Sequence, residues 1–491
     1  MSESTTDSRT KEWAPRQAFW IAFGLCLIPL LGWWIIGLLD LDEGFYGAVT
    51  GEMLRRNEWV TPYYNGAPWF EKPILLYWAS MIGVKLFGGE FGARLPSVAG
   101  ALGLYSLLYW FGRRYINLHA GLAAMLICGT SLLMVALARM MMTDALLALS
   151  LSGCFLLFWH ALHGNRWAWG AAGACLGLSI LAKGPVGCIL FGGVVIWTYF
   201  TQSDLRISMR SWGWVWGVLA MLAIVATWYV PCYLANGDTF VQKFLIEQNI
   251  NRFQGGDKAH QMPLLARPFF YPLILLLGMT PWIWRLREAR QPSDSRYADV
   301  ARPFLRYCWG WAGVIFVFFF MSGTQLTHYV LPCLPPLSLI LAASWARTRA
   351  GETLGWGLFR GFAIASVVLC LIANIGFTLW YQGAKVDELH RLAKIAGRSD
   401  LPLVEYQMSR RTADRGTGGL KLMETSHPSI LFYTGRPMEI VEDIEALRSR
   451  PGQFLVLTRP GRLTESDLKS LGEVSREPSE GEGYELYTVK N

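Results

Sequence analysis

Polar and apolar residues come in long blocks along most of this chain, not in short alternation. Apolar runs recur from residue 18 to residue 381, separated by brief polar turns. A run of about 20 apolar residues is what a helix needs to cross a bilayer core. The first such run covers residues 18–39. Further spans are expected near 94–113, 118–138, 142–163, 167–182, 184–201, 212–234, 268–284, 303–321, 329–346 and 355–381. The run 74–87 is too short to cross and reads as an interfacial or juxtamembrane helix.

Two regions break the block pattern. Residues 40–73, DLDEGFYGAVTGEMLRRNEWVTPYYNGAPWFEKP, form a polar stretch between the first span and the interfacial helix. It holds two charge clusters, Asp42-Glu43 and Glu71-Lys72-Pro73, that apolar burial cannot explain. Charges set against membrane spans cost free energy and tend to mark function. From about residue 384 the pattern shortens to strand-like alternation: PLVEYQ, SILFYTGRPMEIV, QFLVLT and YELYTV read as strands, and DIEALRSR as a helix. A small α/β domain over 384–491 is expected, following a tail at 1–17 and a transmembrane region at 18–383 whose first outer loop covers 40–93. The predicted fold class is therefore a polytopic α-helical membrane protein of about eleven spans with a C-terminal soluble α/β domain.

Composition agrees: 53% of residues are hydrophobic and 16% charged, too apolar for a soluble assembly of several domains. The formal charge of +8 would suit nucleic acid, but the basic residues sit in alternate short loops. Arg113-Arg114, Arg166, Arg206 with Arg210, the run RLREARQPSDSRYADVAR, and Arg347 with Arg349 fall on one side. That bias places them and the N-terminus in the cytoplasm and argues against nucleic acid as a partner. The other side, outside, receives Asp42, Glu43, Glu71, Asp144, Asp238, Glu247, Asp257, His260 and His328, and an odd span count puts the C-terminal region there too. Nine cysteines lie in or beside the spans with no metal-type spacing, as small packing residues do.

The candidate chemistry sits on that outer face. Asp42-Glu43 either caps the following helix or supplies a general base. Glu71-Lys72 is either a surface ion pair or a site where the lysine meets a lipid phosphate and the carboxylate a divalent cation. The loop 235–267 adds Glu247, Asn251, Arg252, Asp257, Lys258, His260 and Arg267. His328 and Tyr329 could donate to a phosphate, although the tyrosine equally suits an interfacial aromatic belt. Arg139 with Asp144, and Lys183 in LAKGPVG, are either acceptor-side groups or structural charges tying spans together. Charges gathered at one membrane edge suit an anionic lipid headgroup with a polar second substrate better than a transport path, which would show midplane polar groups in matching halves. A lipid-linked-sugar flippase and a structural scaffold are the competing classes.

Asp42-Glu43 after the first span, FEKP closing the same loop, LAKGPVG, NRF followed by His260-x-x-Pro263, and HYVLPCLPP resemble, in the same order, the aminoarabinose-transferase-like glycosyltransferases. These belong to the GT-C superfamily, with the protein O-mannosyltransferases. The resemblance implies a membrane glycosyltransferase moving a sugar from a polyprenyl-monophosphate donor to a lipid, glycan or protein acceptor on the outer face of the inner membrane. It implies Asp42 as the catalytic aspartate and Glu71 and His260 as ligands of a divalent metal such as Zn, Mg or Mn. Lys72, Tyr329, and Arg252 or Arg267 would serve the donor phosphate, with no nucleotide or redox cofactor. Members that modify lipid A carry Asp-Glu-Pro-Arg, where this chain has Asp42-Glu43-Gly44-Phe45.

Overall fold

The computed structural model describes residues 15–40, 42–251, 265–284, 286, 296–347, 354–383, 386–408, 427–478 and 483–491. Each expected span overlaps a helix there, but the described helices long and apolar enough to cross number six to eight rather than about eleven, because several are short, bent or broken. Among the described residues six helices are long and apolar enough alone: Gly89–Tyr115, Thr143–Leu162, Gly213–Gln248, Ala301–Met321, Thr327–Trp345 and Leu358–Gly383. Two bent pairs bring the number to eight: Leu118–Gly129 with Leu132–Ala138, bent by 63°, and Val186–Thr201 with Ser203–Met209, bent by 110°.

The breaks have local causes. Between α5 (Leu118–Gly129) and α6 (Leu132–Ala138) stand Thr130 and Ser131, whose hydroxyls donate back to Leu126 O and Ile127 O. The Thr130 carbonyl freed there accepts from Ser366 Oγ at 2.6 Å and Cys370 Sγ at 3.3 Å, so a neighbouring span repairs it.

The first span departs furthest from expectation. α1 (Pro15–Leu27) runs into a tight turn at Ile28–Leu30 and stops, leaving 31–40 outside any helix. Gly32, at φ 77°, adopts the left-handed conformation that ends a helix. Irregular backbone at membrane depth must find other donors. Arg139 donates to Pro29 O, Leu30 O, Leu31 O and Gly32 O. Arg94, on α4 (Gly89–Tyr115), donates to Trp33 O, Ile36 O and Gly37 O, each at 2.7 Å.

Beyond this turn, α2 (Asp42–Arg56) opens with Asp42 and Glu43 and closes with Arg55 and Arg56, the order a helix dipole favours. A two-strand hairpin follows, β1 (Tyr63–Tyr64) with β2 (Ala67–Pro68), turning at Asn65-Gly66 with both φ positive. The interfacial helix α3 (Leu75–Phe87) then leads into α4.

The C-terminal region builds a five-stranded sheet ordered β4-β3-β5-β7-β6, from β3 (Leu403–Tyr406), β4 (Glu439–Val441), β5 (Gln453–Thr458), β6 (Glu473–Arg476) and β7 (Glu485–Lys490). β3 pairs in parallel with β4 and β5, and β7 runs antiparallel to β5 and β6. Alternate residues serve different cores. Leu403, Leu455 and Leu457 join a core with α2 and α3, while Val404, Phe454 and Val456 form one on the opposite face. The stretch SILFYT is a helix, Ser429–Thr434, and not the expected strand. Pro428 and Gly435 bracket it, and Ile430 and Leu431 are buried side by side in the core shared with α2, which strand alternation would forbid.

Glu405, on the α2 side of β3, is fully buried, and that burial pushes its carboxyl up to about 8 despite a hydrogen bond from His427 N. The folded state thus holds this proton more tightly than the unfolded chain. Its stability contribution is complete below the ordinary glutamate range and is lost as pH rises toward 8. The melting temperature of the detergent-solubilised protein should therefore fall between about pH 5 and pH 8, and Glu405→Gln should flatten that slope. An unchanged slope in the variant would contradict the assignment.

Candidate active site

Two carboxylates approach the same end of the spans from different elements, Asp42 at the start of α2 and Asp144 in the first turn of α7 (Thr143–Leu162). One residue relates them. Glu43 is completely buried and pairs with Arg94 through two bonds, Nε to Oε1 at 2.6 Å and Nη2 to Oε2 at 2.7 Å. The same carboxylate accepts Leu39 N at 2.8 Å and Met141 N at 2.6 Å. Glu43 thereby joins the residue beside Asp42 to the backbone three residues before Asp144. Its oxygens are fully used, so it is a structural member of the site.

Asp144 is buried and pairs with Lys183 at 2.6 Å, at the end of α8 (Trp167–Lys183). Lys183 Nζ also lies 4.7 Å above the Tyr329 ring. His328 stands edge-on to Tyr329 and feels the charges of Asp144, Lys183, Asp42 and Lys72. The seven groups Asp42, Glu71, Lys72, Asp144, Lys183, His328 and Tyr329 thus come from five separate segments to one edge.

Four of the seven line a cleft of about 140 Å³ that opens to solvent; Asp42, Asp144 and His328 are not in its wall. Glu71, Lys72, Lys183 and Tyr329 line its charged part, and Val186, Ile189, Phe244, Phe318 and Phe319 its apolar part. A surface that sets cations beside an aliphatic and aromatic wall fits an anionic headgroup carrying a hydrocarbon chain.

The other expected residues divide. Asp42 is exposed, and Glu71 and Lys72 are half-buried on the cleft wall. The expected association of Arg139 with Asp144 is not made: Arg139 caps the end of the first span, because the carbonyls there need donors. Arg267 is half-buried at the start of the helix Arg267–Gly278 and does not line the cleft, and Glu247 is exposed. Arg252, Asp257, Lys258 and His260 lie outside the described residues. Among the described residues no group of three His, Cys, Asp or Glu could hold a metal ion; Glu71 offers one carboxylate.

Sequence reasoning passed over Arg94, Tyr46 and Tyr77. Tyr46, one turn beyond Asp42 on α2, is buried, and its phenol is pushed well above the ordinary range by that burial and then by Asp42, Tyr77, Asp144 and Glu71. Its four-residue spacing from Asp42 was the available signal. Tyr77 is buried on α3 with no hydrogen-bond partner for its hydroxyl, which burial and Glu71 push upward.

Residues 71–230 match the family model described as dolichyl-phosphate-mannose-protein mannosyltransferase. The undecaprenyl phosphate-alpha-4-amino-4-deoxy-L-arabinose arabinosyl transferase of Shewanella sediminis is 28% identical over 89% of this chain and 78% of its own length. The Pseudomonas fluorescens transferase 1 of that name is 30% identical over 79% of this chain and 69% of its own. The crystal structure of ArnT from Cupriavidus metallidurans bound to undecaprenyl phosphate superposes with a TM-score of 0.72, covering 96% of this chain and 97% of that one at 19% identity.

Removing Arg94 would strand the Glu43 charge in a dry interior, a loss of about 3–5 kcal/mol. Arg94→Met should lower the melting temperature in detergent, and Glu43→Gln added to it should recover part of the loss. If the single variant melts with wild type, the clamp is not needed.

Proposed function

The chain belongs to the aminoarabinose-transferase-like family of GT-C membrane glycosyltransferases, and on that premise we propose how its residues divide the reaction. It is an integral membrane enzyme that uses a polyprenyl-phosphate sugar donor. The observation that carries the residue assignment is the cleft itself, whose wall sets Lys72, Lys183 and Tyr329 beside apolar side chains. The donor's phosphate lies against these cations and its prenyl chain follows Val186, Ile189 and Phe318 toward the lipid. No relative's name favours a flippase.

Asp42, exposed at the edge of this cluster, faces the acceptor. The acceptor oxygen attacks the anomeric carbon, its proton passes to the Asp42 carboxylate, and the bond from that carbon to the phosphate oxygen breaks with inversion. Charge then gathers on the leaving polyprenyl phosphate. Lys72 and Lys183 stabilise it as fixed cations in a partly dry site, with Tyr329 packed beneath Lys183. Glu71, together with His260, is the proposed holder of a divalent cation, which would supply further charge neutralisation at the phosphate.

The basic loops support an N-terminus in the cytoplasm, with catalysis and the C-terminal region on the outer face of the inner membrane. The acceptor is proposed to differ from that of members with Asp-Glu-Pro-Arg. Phe45 holds the arginine position, buried and stacked on Trp69 at 5.1 Å. It presents no cation to an anionic acceptor.

In a transfer assay with purified enzyme and polyprenyl-phosphate sugar, Asp42→Asn should lower kcat by about 10²–10⁴-fold for a hydroxyl acceptor. Lys72→Ala should weaken both donor use and undecaprenyl phosphate binding. Wild-type rates in both variants would refute the mechanism. Binding of undecaprenyl phosphate should also weaken in EDTA; indifference to EDTA and to Glu71→Gln would remove the cation.

A further inference from the structure

The C-terminal region touches the catalytic loop beside Asp42, through the helix Ser429–Thr434 and its flanks. Asp40 stands two residues before Asp42, and its carboxylate is held entirely from the far end of the chain. Oδ1 accepts Ser429 N at 2.9 Å, while Oδ2 accepts Ser429 Oγ at 2.8 Å and pairs with His427 Nδ1 at 3.2 Å. Nearby, Leu38 N donates to the Tyr433 hydroxyl at 2.8 Å. On the hairpin, Asn65 exchanges two bonds with the backbone of Met438, at 2.9 and 3.0 Å. The loop is thus gripped at both ends by one segment, 427–438.

Packing continues the grip. Leu38, Phe45, Val49 and Met53 share one core with Leu389, Ile430 and Leu431. Gly44 lets the surfaces close: a Cβ there would meet Asp40 Oδ1 at 2.1 Å, Ser429 N at 2.8 Å and Pro428 Cγ at 3.2 Å. Gly44 N also donates to Leu39 O at 2.9 Å, a bond that the proline of the Asp-Glu-Pro-Arg pattern could not make. The departure from that pattern therefore coincides with the point of closest approach.

We propose that the C-terminal region is a working part of the catalytic centre, with Asp40, Ser429 and His427 as positioning residues that set Asp42 through this junction. The inference rests on the reading of Asp42 as the acceptor-side base. Displacing a catalytic group by about 1 Å can cost 10²-fold in rate, and a loop anchored on one side only would leave Asp42 free to move that far. Of the donor groups, Lys183 and Tyr329 stand on other elements, and Lys72 lies beyond the hairpin at the far end of the loop from Asp40.

The test uses the full-length enzyme in detergent or proteoliposomes. Asp40→Ala removes the anchor, Gly44→Ala wedges a methyl between Asp40 and Ser429 while keeping both side chains, and Ser429→Ala deletes one donor as the mildest lesion. Asp40→Ala and Gly44→Ala should each lower kcat by about 10–100-fold. Ser429→Ala should fall between them and wild type. Donor KM, undecaprenyl phosphate binding and melting temperature should stay near wild type. Asp40→Asn, which keeps an acceptor for Ser429 N–H, should recover part of the rate. Wild-type kcat in Asp40→Ala and Gly44→Ala, with Asp42→Asn inactive, would overturn this inference alone. A fall that only tracks the folded fraction would also overturn it. Full activity in Asp42→Asn would instead overturn the mechanism beneath it.

Discussion

Arg94 is a guanidinium without access to water, and the surrounding end of the molecule is arranged to satisfy it. Such a charge is tolerated only when every donor finds an acceptor. Here the acceptors are the two oxygens of Glu43 and three carbonyls of the non-helical stretch after the first span. Each side needs the other. The backbone around Trp33, Ile36 and Gly37 can leave the helix because Arg94 supplies donors, and Arg94 can be buried because that backbone and Glu43 supply charge and dipoles. The polar loop begins where this exchange ends, so Asp42 starts from a fixed point.

From that point the site gains a division of labour. Glu43 takes the structural role and leaves its neighbour Asp42 exposed at the edge, so adjacent acidic residues have opposite environments. Asp144 is buried against Lys183, which orients one cleft cation while Lys72 enters from the first loop. The proposed donor end takes Lys183 and Tyr329 from spans and Lys72 from the close of the loop, whereas the proposed acceptor end lies at the loop's start. Phe45 and Gly44, where the Asp-Glu-Pro-Arg pattern is departed from, both lie at the acceptor end.

What could be read in advance followed physical signal strength. Bilayer-length apolar runs announce spans, and charges beside them announce a site, because burial explains neither. The alternation in QFLVLT and YELYTV is a strong strand signal, and both are strands. Arg94 was missed because one arginine at the head of an apolar run also reads as an interfacial anchor. Arg139 and Asp144 are near in sequence but not paired; the partner of Asp144 is 39 residues away. SILFYT carries β-branched and aromatic residues, yet tertiary burial on α2 makes it a helix. The Asn65-Gly66 hairpin had a usable signal that the surrounding polarity obscured. Nothing local could reveal that Asp40 meets Ser429, 389 residues on.

Sugar transfer from a polyprenyl monophosphate at this edge of the spans leaves a trace in the cell's lipids and glycans. Lipid and glycan mass spectrometry of a strain deleted for this gene tests it most directly. The polyprenyl-monophosphate sugar should accumulate, and one glycoconjugate should lose the corresponding residue. A deletion strain with unchanged donor pools and a complete set of glycans would contradict it.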